Sequence, residues 1–324
     1  MISSIGLSVI HLGGYAPALP TPFDEDDRID LAAFERMCQL QVRAGATALV
    51  VAGTTGEAPT LSHGEQAELV SVAVGVAAGC VPVVAGTGSN STAHAIGLTQ
   101  DAEAAGADAA LCVVPYYNKP TQAGLYAHFC AIAQSTSLPI ILYDVPSRTV
   151  CRLEDETIAR LVAEMPQFIG LNDGSGDLTR PQRLRARLAP AFRLMSGDDA
   201  TAPQFIALGG DGCISITSNV APGLCRDMYL STKGGEIARA QRLGAEVGRL
   251  TAALLHETNP APVKYALSRL GLMSGRVRLP LVEPTAQSRS ELDAILADLC
   301  ERHGNSLVLN SHVSIPRSLL AKAS

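Results

Sequence analysis

Short apolar runs rich in Val, Ile, Leu and Ala alternate along the chain with segments whose apolar residues recur every three or four positions. The short runs predict strands at residues 15–23, 48–53, 81–86, 109–115, 139–145, 168–171, 192–196 and 212–217. The segments 31–44, 62–78, 92–105, 122–136 and 153–164 between them predict amphipathic helices, several opening after Ser, Thr or Asp. Strand and helix alternate at roughly 25–30 residue spacing, the pattern of a parallel sheet with helical crossovers. Eight such units predict a (β/α)8 TIM barrel. An open dinucleotide-binding sheet would need G-x-G-x-x-G after its first strand. Gly86-Thr87-Gly88 is followed by Ser89 and Asn90 and has no third glycine in place.

The strand signal stops near Gly234. Residues 235–256, 261–270 and 290–303 predict helices, a C-terminal appendage to the barrel. The division is then a barrel over 13–233, a helical region over 234–304, and a tail or extension over 305–324, which has no clear period.

The 324 residues are 47% apolar and 17% charged, enough to bury a large core in one barrel. The net charge is −6 and no basic residues cluster, which argues against nucleic acid as a partner. Eight cysteines are scattered without a C-x-x-C pair, as expected of reduced thiols in a cytoplasmic protein. The first basic residue is Arg28, so the N-terminus lacks the charged region of a signal peptide, and no apolar run is long enough to span a bilayer. The seven histidines show no ligand spacing, and no metal or other cofactor is expected.

In such a barrel the chemistry gathers where the strands end. The second strand ends in Gly53-Thr54-Thr55-Gly56-Glu57. Its hydroxyls and backbone N–H groups can grip a carboxylate, although a turn with a helix cap would look the same. The fourth ends in Pro115-Tyr116-Tyr117-Asn118, the fifth in Tyr143-Asp144-Val145-Pro146-Ser147-Arg148. A tyrosine at a strand end can relay protons or simply fill the core. Arg148, after a proline turn, suits a bidentate carboxylate clamp or a surface ion pair. The seventh ends in Ser196-Gly197-Asp198-Asp199, and the eighth contains Gly212-Cys213-Ile214-Ser215.

Together, GTTGE at 53–57, PYYNKP at 115–120, LYDVPSRT at 142–149, SGDD at 196–199 and NPAPVKYAL at 259–267 are specific. The chain resembles the family of dihydrodipicolinate synthase (4-hydroxy-tetrahydrodipicolinate synthase) and N-acetylneuraminate lyase over about residues 13–300, with Arg148 indicating the synthase branch. The resemblance implies a class I aldolase-type lyase of lysine and diaminopimelate biosynthesis. Pyruvate would form an imine with a lysine on the sixth strand, become an enamine, and attack L-aspartate 4-semialdehyde. Tyr143 would be the general acid and base, with Thr55 and Tyr117 as relay partners, Tyr117 reaching in from a neighbouring subunit. Arg148 would hold the semialdehyde carboxylate. Thr54, Thr55 and the backbone near Ile214 would hold pyruvate. The implied assembly is a homotetramer built as a dimer of dimers.

One residue departs from that pattern. Asn172 stands where the resemblance implies the imine-forming lysine. An amide nitrogen has its lone pair delocalised into the carbonyl and cannot do the work of an amine. Of the four lysines, Lys119 lies near the barrel mouth, Lys233 and Lys264 in the appendage and Lys322 in the tail, none on a strand inside the barrel. Milder departures are Asp144, where asparagine is usual, and Val150, where glycine is common. Three readings follow: a synthase-type lyase impaired at residue 172, a non-catalytic binder of a 2-oxo acid or dicarboxylate, and a sister aldolase for another 2-oxo acid. Arg148 argues against the last.

Some members of the family are inhibited by lysine at a subunit interface. The resemblance maps that site onto Ala58, Pro59, His63, Gln66, Asn90, His94 and Tyr116. His94 stands where the lysine-sensitive pattern has a glutamate, so weak or absent lysine inhibition is expected.

Overall fold

A computed structural model describes residue 10 and residues 12–307. The expected tail over 305–324 falls almost wholly outside the described residues. The first half of the barrel runs β1 (Gly14–Pro17), α1 (Leu31–Arg43), β2 (Leu49–Val51), α2 (His63–Ala77), β3 (Val83–Gly86), α3 (Thr92–Ala104), β4 (Ala109–Val113) and α4 (Gln122–Gln134). The second half runs β5 (Ile140–Asp144), α5 (Pro146–Thr149), α6 (Asp155–Glu164), β6 (Phe168–Asp173), α7 (Arg180–Arg185), β7 (Arg193–Ser196), α8 (Ala202–Ala207) and β8 (Gly212–Ser215). Then follow α9 (Pro222–Lys233), α10 (Ile237–Leu254), α11 (Ala261–Arg269) and α12 (Ala286–His303).

All eight strands are parallel, in the order β1-β8-β7-β6-β5-β4-β3-β2. An Ala18–Val50 bridge, with the Leu19 N–H donating to the Val50 carbonyl at 2.8 Å, joins β1 to β2 and closes the (β/α)8 barrel. Its interior is filled by Ala16, Val50, Val84, Leu111, Ile141, Met195 and Ile214. A second core lies between strands and surrounding helices. A third joins Tyr15 and Cys213 to Val247, Val263 and Leu292 of the C-terminal helices.

The predicted first strand is shorter than expected, because Pro20 and Pro22 have no N–H for a ladder. Helices α5, α7 and α8 were not foreseen: at four to six residues each, they are too short to show a period. Helix starts follow local chemistry. Ser62 and Glu65 form a reciprocal capping box on α2, and Asp30, Ser91 and Thr121 cap α1, α3 and α4. All eight cysteines are free. No helix among the described residues is long and apolar enough to cross a membrane.

Candidate active site

Because every strand is parallel, all the strand ends singled out in the sequence face one mouth. Tyr143 on β5 packs against the barrel interior. Its register partner on β6 is Asn172, whose own partner on β7 is Met195. Register partners in a sheet share a face, so Asn172 points inward beside Tyr143. Asn172 is 3% exposed, and its Oδ1 has no hydrogen-bond partner. Gly197 makes room for it, since a Cβ there would lie 3.1 Å from that oxygen.

Burial raises the pKa of the Tyr143 phenol, opposed by the Arg148 guanidinium and a hydrogen bond with the Thr54 hydroxyl. The structure thus brings Thr54, rather than Thr55, to the phenol. Thr55 is buried, and its Oγ1 accepts from Asn259 Nδ2 at 3.0 Å. Ile214 lies in the barrel core beside Ala16. Arg148 sits exposed on α5. Tyr117 is 87% exposed with φ +74°, projecting from its loop instead of packing on Tyr143.

The turn carrying Thr54 and Thr55 is braced from the C-terminal region. Gly56 is required by space: a Cβ would meet Ala52 backbone atoms at 3.1 Å and the Leu19 carbonyl at 3.2 Å. Thr21 donates to the Gly56 carbonyl at 2.7 Å. Glu57 accepts from Lys264 Nζ at 2.6 Å and from the Arg278 backbone N–H at 3.0 Å. Lys264 and Glu57 side chains are fully buried, and Lys264 lies 4.1 Å from the Phe23 ring centroid. Burial lowers the Lys264 pKa to about 8 in spite of Glu57. Lys264 is thus a buried strut behind the turn, and Lys119 is exposed.

A second brace ties β5 to β6. The Arg180 guanidinium is fully buried and donates to Asp144 at 2.7 Å, Asp173 at 3.2 Å and Asp155 at 3.0 Å. Asp144 and Asp173 are register partners one residue beyond Tyr143 and Asn172. The arginine therefore locks together the two strands that present the inward pair. Burial raises the Asp144 pKa, and Arg180 opposes it.

Asn259, Lys264 and Arg180 were not picked out as site residues in the sequence. The first two lie in the NPAPVKYAL string, so the motif was visible but its contact with the Thr-Thr turn was not. Nothing in the local pattern marks Arg180.

Of the four candidate effector residues, two meet. The His63 and His94 rings stack at 4.7 Å, and His63 Nδ1 lies 2.6 Å from Asp101 Oδ2. The Asn90 carbonyl accepts from Asn118 Nδ2 at 2.8 Å, and Tyr116 is half-buried. No group of three or more His, Cys, Asp or Glu among the described residues could hold a metal ion.

The closed parallel (β/α)8 barrel brings Tyr143, Thr54 and Arg148 together at its mouth, the arrangement of a TIM-barrel protein with a polar site at its strand ends. Residues 11–299 match the dihydrodipicolinate synthetase family, and the chain belongs to it. It is 48% identical over 286 residues to 4-hydroxy-tetrahydrodipicolinate synthase of Gluconobacter oxydans, covering 88% of this chain and 96% of that one. It is 49% identical to the enzyme of the same name from Hyphomonas neptunium, covering 88% and 97%. Among solved structures it resembles 4-hydroxy-tetrahydrodipicolinate synthase of Methylacidiphilum fumariolicum SolV, with TM-score 0.88, 38% identity and coverage of 91% and 98%. It also resembles dihydrodipicolinate synthase of Acinetobacter baumannii complexed with pyruvate, with TM-score 0.85, 41% identity and coverage of 89% and 99%.

Proposed function

We propose that this chain carries the pocket of a 4-hydroxy-tetrahydrodipicolinate synthase, for pyruvate and L-aspartate 4-semialdehyde, and that Asn172 leaves it holding pyruvate without a covalent bond. The observation that carries this is the inward position of Asn172, in register with Tyr143, where the family resemblance implies an imine-forming amine. Around it the other parts of the pocket are retained. Tyr143, hydrogen-bonded to Thr54, is placed to move a proton at a bound 2-oxo acid. In this reading the Thr54–Thr55 turn and the backbone near Ile214 hold the pyruvate carboxylate. Arg148 is the carboxylate clamp for the semialdehyde. The exposure of Tyr117 supports a site completed by a second copy of the chain, within a homotetramer made as a dimer of dimers. Imine chemistry draws its nucleophile from the protein, so no cofactor is required.

Restoring the amine tests the reading. Asn172→Lys is expected to raise synthase kcat by roughly 10³–10⁶, the scale of nucleophile knockouts. Synthase turnover by the unaltered chain at a rate equal to that variant would overturn it.

One solved relative, dihydrodipicolinate synthase of Cyanidioschyzon merolae, was crystallised with lysine bound. In this chain we propose weak or absent lysine binding at the surface formed by His63, Asn90, His94 and Tyr116. His94 stacks on His63, and the nearby carboxylate of Asp101 is already paired with His63. Sub-millimolar lysine affinity in calorimetry would refute this.

A further inference from the structure

We infer that Asn259 is a positioning residue that fixes the hydrogen-bond polarity of Thr55, so that the Thr54–Thr55 turn presents only donors and selects a ligand carboxylate. The inference rests on the proposed pocket and names the group that sets its preference. Asn259 is buried in the link between α10 and α11, 204 positions from Thr55 in the chain. Its Nδ2 donates to Thr55 Oγ1 at 3.0 Å. An amide N–H can only donate, so the hydroxyl oxygen is engaged as an acceptor there, and its own O–H is left to donate elsewhere.

Two further features of the turn agree. Among the described residues, the backbone N–H groups of Thr54, Thr55 and Gly56 donate to no backbone carbonyl. Successive N–H groups in a turn form an anion-binding concavity. The one anion of the turn is also directed away: the Glu57 carboxylate is taken by Lys264 Nζ and the Arg278 N–H. A hydroxyl and backbone amides, all donating, match an oxyanion with several lone pairs. They match an alcohol or an amine poorly.

The test is pyruvate binding by calorimetry, with full-length protein, between pH 5 and pH 8. The unaltered chain should bind with little change over that range. In Asn259→Asp the ionised carboxylate accepts the Thr55 proton, which turns an oxygen lone pair toward the ligand. Affinity should fall tenfold or more at pH 8 and recover toward the parental value at low pH, where the buried carboxyl is protonated and donates again. Glu57, Lys264, Arg278 and Tyr143 are common to both proteins, so the parental series accounts for any effect these neighbours have on binding.

A second measurement holds if the Asp variant does not fold. Asn259→Leu should weaken binding severalfold in the parental background and cause no further loss in a Thr55→Val background. Additive losses would mean that Asn259 only packs, and would overturn the inference. Parental affinity for the Asp variant at every pH would overturn it too, since the Thr55 proton would then already point at Asn259. Either of those results leaves the proposed function standing. No binding of pyruvate by the unaltered chain would overturn both.

Discussion

Asn172 lies beside Tyr143, paired in register across β6 and β5, and both side chains enter the barrel. The Tyr143 phenol therefore has a buried amide, not an amine, as its neighbour on the next strand. The scaffold around the pair is fully built. Arg180 clamps the two strands from behind, and Lys264 and Asn259 brace the opposing turn.

That clamp should be costly to break. Arg180→Leu leaves the buried carboxylates of Asp144 and Asp173 without their counter-charge. Unfolding in urea should show a loss of about 3–5 kcal/mol. A loss below about 1 kcal/mol would mean that Arg180 does not hold these strands.

Lys264→Met should cost a similar amount, about 3–5 kcal/mol, because the buried Glu57 carboxylate would lose its counter-charge and keep only the Arg278 backbone N–H. Adding Glu57→Gln removes the stranded charge and should recover more than half of the loss. If the second change brings no recovery, the ion pair is not what Lys264 contributes.

Acid should weaken the fold through His128. Its ring is buried, Nδ1 lies 2.9 Å from Thr92 Oγ1, and burial lowers its pKa from 6.5 to about 4. Between pH 6.5 and pH 4 the unfolded chain therefore binds a proton that the folded chain does not. Stability is complete above pH 6.5 and lost as pH falls toward 4, by about 2–3 kcal/mol. His128→Gln should remove that slope from a series of urea melts, and an unchanged slope would assign it to other groups.

Val150 follows Arg148 and Thr149 with φ +64°, a conformation costly for a β-branched residue, and its side chain is 66% exposed. Val150→Gly relieves the strain without emptying the core. The expected gain is about 1 kcal/mol in urea unfolding, and a loss of stability would show that the valine packs productively.

The barrel was legible because each strand is a compact apolar run and the first six are separated by periodic helical segments, down to the short run at 168–171 just before Asn172. Asn172 could be placed on the sixth strand from its neighbours alone. What could not be read was polarity and reach. Neighbouring Thr54 and Thr55 look alike in sequence, yet one meets the Tyr143 phenol and the other meets Asn259. Asn259 and Lys264 act on a turn more than two hundred residues away, a distance that only the fold closes. Arg180 gave no local sign because its three carboxylate partners come from β5, β6 and α6.

The central claim is that residue 172 leaves the pocket without an imine-forming amine. The most direct measurement is to incubate the unaltered protein and Asn172→Lys with pyruvate and borohydride, then read intact masses and map the peptides. The account predicts no pyruvyl adduct on the unaltered chain and one adduct on the variant, at position 172. A reduced adduct on the unaltered chain, at Lys119, Lys264 or any other lysine, would contradict it.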